Sequence, residues 1–434
     1  MILTANSRLD TMFSKKEGVI MKKLSFILAV ILVISFCFTG CQPQPNPKLD
    51  DLNMLCQTLE EKHYNLYANV SKEDFLKEKE KIAKKTAKMS DTEFYWSICH
   101  LLSLIKDAHT MAGFSSTEQW MSYMEMLPFD IDKFEEGWFL LGIHKDKAQY
   151  LGTQLVAING MSMDEIIERS KQIISFESES WLYQQVPNVL IWKDALEYLG
   201  VVKKNESVVL TVKTNEGREE SFEIEPLQSM NDRKQMVQLE RKTKPVTDYQ
   251  KKNYWSTVLD DNTYFIQYNS CAQDPQLPME EFAQQVDEDL KDGKYQNIIL
   301  DLRYNTGGDS RVFAPLKQVF FDQYLQTNGE INLCTLIGGK TFSSGMMAAV
   351  DARGVGAVFY GQPTGGVLKS AGDVKLIEME SMPFKVQYST KYFDLIPGLE
   401  GPLMPNEIVP RSFQEYREGK DAEIEYLYNN GLLN

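Results

Sequence analysis

The chain has 434 residues, with 46 Lys and Arg against 61 Asp and Glu, a formal net charge of −15, 43% hydrophobic and 11% aromatic residues. That length and composition suit a globular protein of roughly two or three domains with a sizeable core. The acidity argues against nucleic acid as a partner and against electrostatic docking onto anionic lipid.

Residues 1–20 precede a basic start, and Lys16-Glu17-Gly18 can be encoded by a purine-rich ribosome-binding sequence, so an over-extended start is expected there. Met21-Lys22-Lys23 opens an apolar run, Leu24 to Phe36, which Phe38-Thr39-Gly40-Cys41 closes. The run is short for a bilayer span and reads as the signal peptide (21–40) of a lipoprotein, in a form with Phe where Leu is usual. Cys41 would then carry the lipid and anchor an extracytoplasmic protein to the bacterial cell membrane. Gln42-Pro-Gln-Pro-Asn-Pro47 falls in a stiff, extended tether expected over 41–50. Loss of residues 1–40 removes five basic and two acidic residues, leaving 41 against 59, a net of −18. Cys56, Cys99, Cys271 and Cys334 are widely spaced, without CxxC or a metal pattern, which suggests buried thiols and leaves one disulfide open.

Residues 51–115 read as a helical domain. Ser71-Lys-Glu-Asp74 and Ser90-Asp-Thr-Glu93 resemble capping boxes, and Phe94, Ile98, Leu101 and Ile105 form one apolar face. That helix is expected to end near Asp107-Ala-His-Thr110. From about 120 to 228 short strands take over (Phe139–Ile143, Gln154–Ile158, Val208–Val212), with a helical insertion over roughly 163–200. A polar connection, 225–253, leads to a region spanning 250–434 in which apolar strands alternate with amphipathic helices, an α/β pattern.

Two runs in that last region carry most of the chemistry. Asp301-Leu-Arg-Tyr-Asn-Thr-Gly-Gly308 follows a buried-strand pattern and ends in a glycine pair able to bring amides close to a ligand. Thr341-Phe-Ser-Ser-Gly345 follows another apolar strand, where a sharp strand-to-helix turn would expose a hydroxyl. In this order, and followed by Val358-Phe-Tyr-Gly-Gln-Pro-Thr-Gly-Gly366, they resemble the serine peptidases related to tail-specific (C-terminal processing) protease, the tricorn core and interphotoreceptor retinoid-binding protein. The resemblance covers nearly all of the mature chain and is strongest over 253–421. It implies an α/β fold: a Clp-protease/crotonase-like catalytic core with an N-terminal helical domain and a PDZ-like β-rich domain. Tyr150-Leu-Gly-Thr-Gln-Leu-Val-Ala-Ile-Asn-Gly160 is the stretch that resembles a PDZ domain.

The same resemblance implies the site. Ser343 matches the family nucleophile, with Ser344 as the close rival and its N–H, with Gly307 and Gly308, as oxyanion donors. Tail-specific proteases use a lysine base, but Val367 stands at that position and Lys369 lies two residues on. Tricorn uses a histidine, which His109 matches. Both bases therefore stay open, with histidine favoured because an imidazole titrates near neutrality. Glu400, in Gly398-Leu-Glu-Gly-Pro-Leu-Met-Pro-Asn406, resembles the tricorn glutamate that orients the catalytic apparatus. Asp301 and Arg303 are expected to hold the loop by ion pairing. Gly345-Met346-Met347 departs from the alanine and acidic residue that many relatives carry.

The expected function is a lipid-anchored extracytoplasmic serine endopeptidase acting on polypeptides, with no cofactor and no metal. The alternative is an inactive binding protein for a peptide or apolar small ligand on the same scaffold. Substrate sequence and oligomeric state are not legible.

Overall fold

The computed structural model describes residues 45–329 and 332–433. The expectations for 1–20, the signal peptide and Cys41 lie outside the described residues. Of the expected tether, Pro47 already opens a helix, Pro47–Lys62, because proline is pre-set for a first helical turn. Among the described residues no helix is long and apolar enough to cross a membrane, and Cys56, Cys99, Cys271 and Cys334 are free, buried thiols.

Helices Lys72–Ala83 and Asp91–Ser103 begin where the serines imply: Ser71 Oγ accepts from Asp74 N–H and Ser90 Oγ from Glu93 N–H. The second helix buries Phe94, Ile98 and Leu101 and stops at Ser103, so Asp107–Thr110 forms a turn before strand Met111–Phe114 instead of a helix end.

A seven-stranded sheet comes next, ordered 129–134, 137–144, 154–158, 208–213, 219–224, with 161–162 and 236–238 alongside. Helices Met163–Ser170, Glu179–Leu190 and Lys193–Tyr198 form the insertion. One apolar cluster runs from Leu52 through Phe94 and Trp192 to Leu210 and Ile224, so the helical and β-rich regions share a core.

The α/β region is built on a six-stranded sheet ordered 407–408, 358–361, 332–337, 297–301, 263–268, 254–260. All neighbours are parallel except the last pair. Strands Thr263–Tyr268 and Asn297–Asp301 are buried along their length, as helices on both faces require of a parallel sheet. Adjacent strands 297–301 and 332–337 release their carboxyl ends into the two motif-bearing loops, the edge of such sheets where ligands bind. A three-stranded sheet joins Met111–Phe114 to Phe384–Asp394 and then Lys369–Glu378.

Candidate active site

After strand Asn297–Asp301, Arg303 is half-buried and paired with Asp301, Asp421 and Glu423 at 2.9, 2.8 and 2.6 Å. These neighbouring charges hold its guanidinium well above the usual range despite its burial. The pairing reaches three carboxylates, so Arg303 anchors the loop. Asn305, fully buried, organises the loop beyond it. Its Oδ1 accepts from Gly307 N–H at 2.9 Å, its carbonyl accepts from Phe342 N–H at 2.9 Å, and its Nδ2 donates to Tyr268 O at 3.0 Å. One residue thus ties both motif loops together, and nothing in the local sequence singles it out.

Gly307 and Gly308 have φ of +106° and +131°, where side chains are strained. A Cβ on Gly307 would lie 2.7 Å from Ser343 Cβ, and one on Gly308 would lie 2.4 Å from Cys271 O. The Gly307 amide is spent on Asn305, which corrects its expected role as an oxyanion donor: it supplies room for the serine turn. The Gly308 amide has no acceptor among the described residues.

Strand Asn332–Ile337 enters the second loop, where Thr341 Oγ1 donates to Leu302 O at 2.8 Å and accepts from Gly338 N–H at 3.0 Å. Ser343 then adopts φ 52°, ψ −124°, a conformation costing a non-glycine residue of order 1–3 kcal/mol. It precedes helix Ser344–Gly354, yet its side chain makes no capping hydrogen bond. The hydroxyl is therefore held in a strained turn without the ordinary task of a serine at that position. Ser344 is different: its Oγ donates to Gly308 O at 2.7 Å, so its hydroxyl is committed to the loop. Its amide, first in the helix, has no intrahelical acceptor, and a Cβ on Gly307 would lie only 2.9 Å from it. The Gly308 and Ser344 amides, one in each motif loop, are donors left without an acceptor among the described residues.

His109 is buried and stacks on Phe342, the residue before Ser343, at 4.4 Å between ring centres; Trp181, from helix Glu179–Leu190, stacks on Phe342 at 4.0 Å. Both imidazole nitrogens lack a hydrogen-bond partner. Nδ1 lies 3.9 Å from Asp107 Oδ1, which also accepts from His109 N–H at 2.9 Å. Burial pulls the imidazole pKa below its ordinary value, against the pull of Asp107, so His109 is neutral near pH 7. No hydrogen bond joins it to Ser343 among the described residues.

Asp107 has its own support. His63 Nδ1 accepts from Asn65 N–H at 3.2 Å, which assigns the proton to Nε2, and Nε2 lies 3.1 Å from Asp107 Oδ2. Thr110 Oγ1 donates to the same oxygen at 2.6 Å. Burial opposes ionisation of Asp107, but these bonds and His109 prevail and hold its pKa at about 2. Glu177, beside them, is pushed up to about 8 by burial and the Asp107 charge, while its Oε2 accepts from Ala108 N–H at 3.4 Å. Sequence reasoning missed His63 and Glu177; they reach the site only through tertiary contact.

The other two expected members stand apart. Lys369 Nζ pairs with Glu400 Oε1 at 2.9 Å, and the Glu400 side chain is 78% exposed. That bond raises the lysine pKa, the reverse of what a base requires. Glu400 makes no contact with His109 among the described residues, so it does not orient the imidazole here. Chain distance explains the error: a strand motif implied a carboxylate at the site, but the turn around Gly398 and Gly401 carries its side chain to solvent.

No family model matches the chain, and no curated protein matches it. Among solved structures, it is similar to mature CPAF complexed with lactacystin: TM-score 0.60, 13% identity, 89% of this chain and 97% of that chain covered. A crystal structure of mature CPAF gives the same score and identity over 89% and 96%. The chain shares its fold with CPAF. A photosystem II D1 C-terminal processing protease also aligns, over 87% and 98% at 11% identity, but its TM-score of 0.39 is too low to bear on the site. The likeness gives an α/β fold with helical and β-rich parts; what the site does rests on its own geometry.

Proposed function

We propose that this chain is a serine endopeptidase with Ser343 as nucleophile and His109 as base. The observation that carries the reading is Ser343 itself: a non-glycine residue in a strained turn, with no cap to make, followed by a helix-opening amide without an acceptor. Ser343 Oγ attacks the peptide carbonyl carbon while His109 Nε2 takes the hydroxyl proton. The carbonyl electrons pass to oxygen, which the Gly308 and Ser344 amides receive. On collapse the C–N bond breaks and His109 gives its proton to the leaving nitrogen; water then repeats the sequence on the acyl-enzyme. Asp107 holds the imidazole by its backbone and lies beside Nδ1. The Ser343–His109 bond forms when substrate closes the site, as apo catalytic bonds often do. A cleft of about 590 Å³ reaches from Lys133 and Tyr183 to Gly339 and Lys340, on the loop that leads to Ser343, although neither Ser343 nor His109 lines it.

We propose further that the protein works outside the cytoplasm, held by lipid on Cys41, on the grounds of its basic start, short apolar run and Thr-Gly-Cys. Detergent partitioning of wild type and Cys41→Ser checks this: equal membrane retention overturns it. The peptidase is tested with a fluorophosphonate probe. Labelling should survive Ser344→Ala and vanish with Ser343→Ala.

A second reading has one observation behind it. A cavity of about 100 Å³ lined by Tyr95, Trp96, Trp120, Ile173 and Trp181 adjoins the Phe342 stack. An unlabelled protein that co-purifies with an apolar molecule would be a binding protein.

A further inference from the structure

We propose that Asp107, His109 and Glu177 form a binding site for a zinc-type divalent cation that shuts the peptidase off; this rests on the reading of His109 as the base. The three side chains each offer one donor atom, and all these atoms lie within 4.8 Å of one another. Zinc bonds of about 2.0–2.2 Å in a tetrahedral arrangement put donors roughly 3.4 Å apart. The Asp107 Oδ1 to His109 Nδ1 distance is 3.9 Å, close to that spacing. Glu177 is half-buried and held by a single 3.4 Å bond from Ala108 N–H, so rotation of its side chain closes the remainder.

An independent observation points the same way. His109 is only 7% exposed, and both of its ring nitrogens lack a partner, although buried polar atoms are ordinarily satisfied. The neighbouring carboxylate is prepared as ligands usually are: Asp107 Oδ2 is occupied by His63 Nε2 and Thr110 Oγ1, which leaves Oδ1 directed at His109. Metal binding displaces the proton from Glu177; the two carboxylates and the neutral imidazole then balance a dication, and three protein ligands leave a fourth position open. The imidazole selects zinc, copper or nickel over magnesium and calcium.

The consequence for turnover comes from proton placement. A neutral imidazole that binds metal through Nδ1 carries its proton on Nε2. It then has no lone pair for the Ser343 proton, and attack cannot begin. Removing the metal restores the free Nδ1–H tautomer and with it the base.

The test is to strip the full-length protein with chelator, titrate it with Zn²⁺ by calorimetry, and follow Co²⁺ substitution by its visible absorption, alongside hydrolysis of a reporter peptide. One equivalent should bind, ten equivalents of Mg²⁺ or Ca²⁺ should not compete, and chelator should restore hydrolysis. Glu177→Gln should weaken binding by about tenfold or more, and His109→Ala should abolish it, with melting curves confirming that both variants fold. Tight binding that His109→Ala leaves unchanged overturns the site, as does hydrolysis indifferent to Zn²⁺. Should the metal bind through His109 to a protein that never hydrolyses peptide, the cation site stands and the peptidase reading fails.

Discussion

The two halves of the site are held in opposite ways. Around Ser343 backbone packs closely on backbone: the side chains of Asn305 and Thr341 pin the main chain of both loops, and the glycines at 307, 308 and 345 allow contacts that any Cβ would break. The imidazole of His109, by contrast, is held by stacking on Phe342 and finishes with two unpartnered nitrogens. A nucleophile has to sit at one point, whereas a base has to accept, turn and release a proton. The rigid half is encoded within short runs of chain, and the adjustable half is assembled from residues as far apart as His63 and Glu177.

The largest effect separates that division from a merely structural one. Ser343→Ala and His109→Ala should each lower turnover by on the order of 10⁴–10⁶, and the double variant should be no worse than either, since partners acting as a unit are non-additive. Additive losses in steady-state kinetics would mean that the halves do not work together.

Gly308→Ala comes next. Losing a donor costs on the order of 10²–10³ in turnover. Because the new Cβ would meet Cys271 O at 2.4 Å, the melting temperature should fall as well. An unaltered melting curve would show that the loop is less tightly held than the serine half requires.

The histidine half is probed by pH. His109 must be neutral to act, and burial lowers its pKa, so kcat/KM should decline with acid only below the ordinary imidazole value near 6.5. Asp107 bears on stability instead. Its folded pKa of about 2 lies below the unfolded value near 3.9, so its contribution is complete above pH 4 and is lost as pH falls toward 2. Denaturant titrations of wild type and Asp107→Asn should converge over that window, from a difference of about 2 kcal/mol.

Two smaller effects sharpen the contrast. Ser343→Gly should abolish activity and yet raise stability by about 1 kcal/mol, since glycine relieves the strained φ. Lys369→Ala and Glu400→Gln should change turnover little, because the two side chains pair with each other at the surface and neither bonds to Ser343 or His109 among the described residues. A dead Lys369→Ala with an active His109→Ala would exchange the two bases.

Legibility divides along the same line. Strands at 263–268 and 332–337, the serine-capped helices and the glycine pair can be read because each depends on residues near in sequence. Gly345, a departure from the family pattern, has a tertiary cause instead: a Cβ there would lie 2.5 Å from Asn305 O, on the other motif loop. Glu400 is misjudged and Glu177 overlooked because a carboxylate's destination depends on folding, and no periodicity reports it. His63 escapes for the same reason: its partner stands 44 residues away.

The strand after His109 has consequences for biosynthesis. Met111–Phe114 pairs with Phe384–Gln387, and Gln387 Nε2 donates to His109 O at 2.9 Å across 278 residues of chain. A nascent chain that has already exposed its serine turn still lacks the strand on which its base is mounted. Pairings of such separation form late, after loop closure has been met. On the reading of His109 as the base, activity would be deferred until synthesis has passed residue 387 and strand Phe384–Asp394 can receive its partner.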